Sequence, residues 1–112
     1  METAFWQKEI EVLEKTSLEN LQVERLNTTI GHAERSTYYA KIFREKGIVS
    51  GRIKHISQIR ELPFTTKQDL RENFPYGFLT LPQKEIIRLH SSSGTTGNPT
   101  VIFHNRHDID SW

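Results

Sequence analysis

The run Ser91-Ser92-Ser93-Gly94-Thr95-Thr96-Gly97-Asn98-Pro99-Thr100 concentrates hydroxyl side chains around two glycines. Glycine admits positive φ, so consecutive backbone N–H groups can point into one concavity, and the hydroxyls add rotatable donors around it. A group bearing several acceptor oxygens, such as a phosphate, suits that lining. A Walker A loop is excluded, because Gly97 is followed by Asn98 and Pro99 rather than by Lys and Ser or Thr at a helix start. A dinucleotide fingerprint is excluded too, since Gly94-x-x-Gly97 does not supply its three-glycine spacing. A flexible polar linker shares this composition. Linkers seldom lie between two apolar runs with an ordered Gly-x-x-Gly and a closing proline, so the phosphate loop is preferred.

Other residue patterns carry less. His104-x-x-His107 has metal-ligand spacing, but no cysteine or third ligand accompanies it, and histidines near a helix start are the simpler reading. His90 is placed either to donate to a phosphate or to end the preceding strand. Ser92, His90 and Asp108 could be assembled into a hydrolytic triad, but no Gly-x-Ser-x-Gly elbow supports one. No metal site is assigned. The Tyr38, Tyr39, Ile42 and Phe43 cluster could stack bases; closing a helical hairpin is the simpler use.

The elements that would position the loop follow from periodicity and punctuation. Ile86–His90 before it and Thr100–His104 after it read as strands by their β-branched and aromatic content. Upstream, Phe5, Trp6, Ile10 and Leu13 have near-helical spacing. Thr16-Ser17-Leu18-Glu19 has capping-box form, and Val23, Leu26, Ile30 and Ala33 mark one helical face to about Glu34, with Gly31 a weak point. Ser36 is expected to cap a helix over 37–46 that stops at Gly47. A third short helix is predicted from Ser57 to before Pro63, and a fourth is capped by Thr65 or Thr66. Pro75, Gly77 and Pro82 break the chain before the first strand, and Asn105 with Asp108 at N3 should start a last helix.

With 112 residues, 35% hydrophobic and 26% charged, the chain is within the size of one domain. A net charge of +1 with no basic stripe excludes an electrostatic nucleic-acid binder. No cysteine is present, so disulfides and thiol nucleophiles are excluded. No secretory leader or membrane-length apolar run is evident, and a cytoplasmic protein is expected.

The hydroxyl-rich stretch resembles the phosphate loop of the adenylate-forming enzymes (acyl-CoA synthetases, luciferases, peptide-synthetase adenylation domains), written there Ser-Ser-Gly-Thr-Thr-Gly-Lys-Pro. Ser92 to Gly97 match in order, Asn98 stands where lysine is usual, and Pro99 matches again. A wider resemblance, from roughly Leu21 onward, is to the phenylacetate–CoA ligase branch. It rests on Leu62-Pro63-Phe64-Thr65-Thr66-Lys67-Gln68-Asp69-Leu70-Arg71, on Phe74-Pro75-Tyr76-Gly77, and on Arg88-Leu89-His90 leading into the loop.

That resemblance implies an α/β fold, α+β within this segment. Residues 1–85 would form an N-terminal helical region, and 86–112 would open the AMP-binding domain with a strand, the loop, a strand and a truncated helix. It implies a reaction of a carboxylic acid, ATP and coenzyme A to acyl-CoA, AMP and pyrophosphate through an acyl-adenylate, with Mg²⁺ accompanying ATP. Ser92, Ser93, Gly94, Thr95, Thr96, Gly97, Asn98 and Thr100 would bind the ATP phosphates, and no catalytic residue falls in the segment. The partners implied are the acid, the nucleotide, CoA and the rest of a longer polypeptide, with a homodimer left open and neither nucleic acid nor membrane involved. Two alternatives stand beside it: an adenylate-forming relative with another acid or acceptor, and a non-catalytic helical interaction module. A last helix of barely two turns and a sheet of two strands favour a segment of a larger enzyme.

Overall fold

The computed structural model describes residues 4–92 and 97–112. Helices α1 (Lys8–Glu11), α2 (Lys15–Ala33) and α3 (Thr37–Lys46) come first, and α4 (Lys67–Glu72) follows a 3₁₀ segment at Ile56–Glu61. A second 3₁₀ turn, Gln83–Glu85, leads into strands β1 (Arg88–Ser92) and β2 (Thr100–His104), and α5 (Arg106–Ser111) comes last. No helix among the described residues is long and apolar enough to cross a membrane.

The buried core is small and lies in the helical region. Ile30, Phe43 and Ile53 form it, with Val23, Leu26, Ala33, Tyr39 and Ile42 packed around them. The helical face expected over Val23–Ala33 is therefore the one that packs. Gly31 does not interrupt α2. A Cβ at that position would meet the Ser50 hydroxyl at 3.2 Å, so the missing side chain lets the 49–51 turn approach the helix. Asn27, four residues earlier, binds the same turn. Its amide oxygen accepts from the N–H groups of Gly51 (2.9 Å) and Ile53 (3.2 Å), and its Nδ2 donates to the Ile53 carbonyl (3.0 Å).

The limits of α3 are the expected ones. Ser36 is fully buried and accepts from the Tyr39 N–H at 3.1 Å, while Gly47 ends the helix at φ 68°. Thr66, the second of the two expected caps, starts α4, with its side chain accepting from the Asp69 N–H. Asn105 and Asp108 reciprocally cap α5 at 2.8 and 3.0 Å.

Three boundaries differ from expectation. Helix α2 starts at Lys15 with Glu14 as its cap residue, not Thr16, because the first helical bond runs from the Leu18 N–H to the Glu14 carbonyl and Ser17 donates to the Glu14 carboxylate at 3.2 Å. The third segment is a 3₁₀ turn that begins one residue before Ser57, held by Gln58, whose side-chain oxygen accepts from the Lys54 and His55 N–H groups at 2.7 and 2.9 Å. Strand β1 begins at Arg88 rather than Ile86, since the Ile86 N–H still bonds back to the Gln83 carbonyl of the preceding turn at 3.0 Å, and it extends through Ser91 and Ser92.

The strands pair antiparallel, with Arg88 opposite His104, His90 opposite Ile102, and Ser92 opposite Thr100. Helices α4 and α5 both contact β2. Phe103 stacks on Tyr76 with ring centroids 5.8 Å apart. Tyr38, Tyr39, Phe43 and Phe78 form an internal aromatic cluster, the Tyr38 and Phe78 rings stacked at 4.3 Å. Phe43, with Tyr39 and Ile42, packs on the core around Ile30 of α2, the hairpin-closing role expected of the cluster, whereas Tyr38 stacks on Phe78, beyond α4.

Candidate functional site

The ladder brings the two legs of the hydroxyl-rich stretch together. Ser92 and Thr100 are its last pair, and their hydroxyls are hydrogen-bonded to each other. In such a pair one hydroxyl donates and the other accepts, which leaves one O–H donor for a ligand. Ser91 and Ser92, read from sequence as loop, are strand residues, so the segment that can curve is shorter than the composition suggested. Ser93, Gly94, Thr95 and Thr96 lie outside the described residues.

Gly97 has φ +81°, with nothing within 4 Å of where a Cβ would stand. Backbone conformation, not space, requires glycine there. Asn98 turns toward the helical region, and its Nδ2 donates to the carbonyl oxygen of Arg71 at 3.4 Å. The C-terminal leg of the loop is thereby joined to the last turn of α4. The Nε of Arg71 is shielded from solvent and has no hydrogen-bond partner among the described residues.

Helix α4 is in turn fixed to the helical region. Tyr39 and Thr65 share a hydrogen bond of 2.6 Å between their hydroxyls, and the Tyr38 N–H donates to the Gly77 carbonyl at 2.9 Å. The Asp69 carboxyl is held below the usual carboxylate range by hydrogen bonds from the Thr66 N–H and hydroxyl, with a smaller contribution from the Tyr38 hydroxyl. Burial, and secondarily the charge of Asp69, pushes the Tyr38 hydroxyl above its ordinary value. A cleft of about 320 Å³ lies between α4 and β2, lined by Leu70, Phe78, Val101 and Phe103 among others. It contains none of the described residues of the phosphate-loop candidate.

The remaining candidates are placed elsewhere. His90 packs edge-on against His104 (4.7 Å between centroids) and against Trp112 (5.2 Å), an aromatic contact on the sheet face. The hydrolytic triad is not assembled: Ser92 is bonded to Thr100, and the Asp108 carboxylate approaches His104, at 4.0 Å. Among the described residues no group of three or more His, Asp or Glu side chains could hold a metal ion. Arg71 was not singled out by sequence reading. Its only local signal is its place in the last turn of a capped helix, and the contact with Asn98 is twenty-seven residues away in the chain.

No family model matches the chain. It is similar over 93% of its length to the phenylacetate-coenzyme A ligase of Aromatoleum evansii at 42% identity, and over 92% to that of Escherichia coli at 40%. The phenylacetate-coenzyme A ligase of Thermus thermophilus is 36% identical over 93% of the chain. The chain spans 24% of the length of each of these relatives. Among solved structures, a 2-hydroxyisobutyryl-CoA ligase in complex with 2-HIB-AMP and CoA superposes with a TM-score of 0.81 at 28% identity, covering 93% of this chain and 23% of that one. The same ligase in its postadenylation state with 2-HIB-AMP gives 0.79 at 25% identity. Over the quarter of their length that it spans, this chain is similar in sequence to the phenylacetate-coenzyme A ligases and shares the fold of an acyl-CoA ligase.

Proposed function

We propose that this chain is an N-terminal segment of an acid–thiol ligase that joins an aryl acid such as phenylacetate to coenzyme A. ATP would activate the acid as an acyl-adenylate, with release of pyrophosphate. The observation that carries the reading is the antiparallel pair β1–β2, which closes at Ser92 and Thr100 on the Ser/Thr/Gly sequence shared with adenylate-forming enzymes. In this reading residues 1–85 are the helical region and 86–112 open the AMP-binding domain. ATP and CoA are co-substrates, and the protein is cytoplasmic. The solved relative described with an acyl-AMP and CoA supports the two-step order, adenylation and then thioester formation.

The segment's part in that chemistry is to hold departing negative charge. As the carboxylate oxygen attacks the α-phosphate, the bond to the β,γ-pyrophosphate breaks and charge accumulates on the leaving group. Donors already fixed around it stabilise that charge without reorganising, and losing one such donor costs about 2.7–4 kcal/mol of barrier. Ser92, Ser93, Thr95, Thr96 and Thr100 supply hydroxyls, Gly94 and Gly97 permit the backbone path, and main-chain N–H groups complete the lining. Mg²⁺ would arrive bound to the triphosphate; the described residues offer it no ligand set.

The test is acid-dependent exchange of labelled pyrophosphate into ATP by the ligase chain that carries this segment, across a panel of aryl and short aliphatic acids. Exchange with phenylacetate and thioester formation with CoA are expected. Exchange with no acid in the panel would refute the adenylating reading. Exchange without thioester would favour a relative that uses another acceptor.

A further inference from the structure

The cleft between α4 and β2 has no part in the chemistry proposed for the phosphate loop. It encloses about 320 Å³, the size of a small-molecule site. Its aromatic walls are braced from behind. Phe78 lines it with its ring stacked on Tyr38 at 4.3 Å, and Phe103 of β2 lines it with its ring stacked on Tyr76 at 5.8 Å. Leu70, Leu81 and Val101 add aliphatic surface. Side chains already fixed by neighbours lose little freedom when a ligand packs on them, so such walls favour an aromatic ring.

The charge of the lining decides what else the ligand must carry. Asp108 supplies a carboxylate. Its Oδ2 accepts from the Asn105 N–H at 3.0 Å, and its Oδ1 has no hydrogen-bond partner among the described residues. The Tyr39 and Thr65 hydroxyls, 2.6 Å apart, also line the cleft and are neutral. No lysine or arginine is among the described residues that line it. A carboxylate or phosphate ligand would therefore meet Asp108 with no cation to offset it, whereas an ammonium is attracted. We infer that the cleft binds a small aromatic amine, with its ring against Phe78 and Phe103 and its ammonium on the Oδ1 of Asp108. The site is separate from those of the acid and of ATP, and it does not rest on the phosphate-loop reading.

The experiment uses the ligase chain that carries this segment and titrates it calorimetrically with 2-phenylethylamine. Phenylacetate, of nearly the same shape and opposite charge, is the control. The amine should bind, and phenylacetate should not displace it. Asp108→Asn keeps an oxygen for the Asn105 N–H, so α5 stays capped, but it deletes the charge. It should weaken the amine by about tenfold at low salt, the size of one charge-assisted contact, and the defect should narrow as salt rises. Leu70→Trp fills the cleft and should weaken the amine by tenfold or more. Leu70→Phe carries that arm if Leu70→Trp does not fold, as judged by circular dichroism.

Wild type that binds no amine would overturn the inference, as would displacement of the amine by phenylacetate. Loss in Asp108→Asn without loss on filling the cleft would put the amine elsewhere. Loss on filling the cleft without loss in Asp108→Asn would remove the ammonium from the ligand. Absence of acid-dependent pyrophosphate exchange would refute the adenylating reading and leave these titrations to decide the cleft.

Discussion

Asn27 illustrates how much one polar side chain decides in this small core. It lies in the middle of α2, a position where asparagine has no helical merit, yet it serves two N–H groups and one carbonyl of the 51–53 segment. Asn27→Ala leaves those groups without partners in a half-buried place, and should cost roughly 1–3 kcal/mol. Measured in the ligase chain that carries this segment, a lowered urea midpoint with unchanged slope would show it; an unchanged midpoint would mean that water replaces the amide. This role was not legible in the sequence, because the partners are twenty-four to twenty-six residues away and backbone atoms leave no residue signature. The phosphate loop proposed at Ser92–Thr100 is read from sequence for the opposite reason: the chemistry proposed for it is local, and composition with order carries the reading. At Thr95 and Thr96 the test is kinetic. Replacing either by valine keeps the shape and deletes the hydroxyl, so kcat for adenylation should fall by about 10²-fold while the KM for the acid stays unchanged. Wild-type rates in both variants would remove them from the site.

The helical elements divide between those fixed by their own residues and those fixed by neighbours. Helix α3 starts at Ser36 and stops at Gly47, two local signals that act wherever the helix lies, so its limits could be read directly. Strand β1 could not be placed as well, because register is a property of the pair, and pairing with Val101 and Thr100 draws Ser91 and Ser92 out of the loop. Ser36 is fully buried, donates to the Ala33 carbonyl at 2.8 Å and accepts from the Tyr39 N–H. Ser36→Ala should therefore cost about 2 kcal/mol, the upper end for a lost cap, while the exposed cap at Thr66 should cost less when replaced. Comparing the thermal melts of the two variants in the ligase chain that carries this segment checks the order. The α4 cap also carries a pH dependence. Asp69 has a folded pKa below its unfolded one, so its stabilisation is present above the ordinary carboxylate range and is lost as pH falls through the lower folded value. Asp69→Asn should flatten that acid limb and leave neutral-pH helicity little changed; an equally steep acid limb would place the titration elsewhere.

At the scale of the whole molecule, surface and shape point the same way. The Cα radius of gyration is 16.7 Å, whereas a compact domain of this length would have about 13 Å. Only Ile30, Phe43 and Ile53 are buried apolar residues, while Trp6 (80% exposed), Phe64 (95%) and Trp112 (75%) stand open among the described residues. Two strands with unpaired outer edges add backbone donors and acceptors that nothing in the described chain satisfies. Burying so little apolar surface leaves the conformational entropy of ordering poorly offset, so the fold described here is expected to gain stability from any cover over its open apolar surface. The relatives, of which this chain spans 24%, are long enough to supply that cover from the same polypeptide. The 112 residues expressed alone should consequently form no thioester from ATP, CoA and aryl acids. They should also sediment as concentration-dependent oligomers that bind a hydrophobic dye and melt without a sharp transition. In the longer ligase the same residues should be protected from amide exchange along β1 and β2, where edge pairing is complete. A sharp, monomeric, dye-silent melt of the 112-residue chain would show that its open apolar surface needs no cover, and thioester formed by that chain would show that the machinery is present within it.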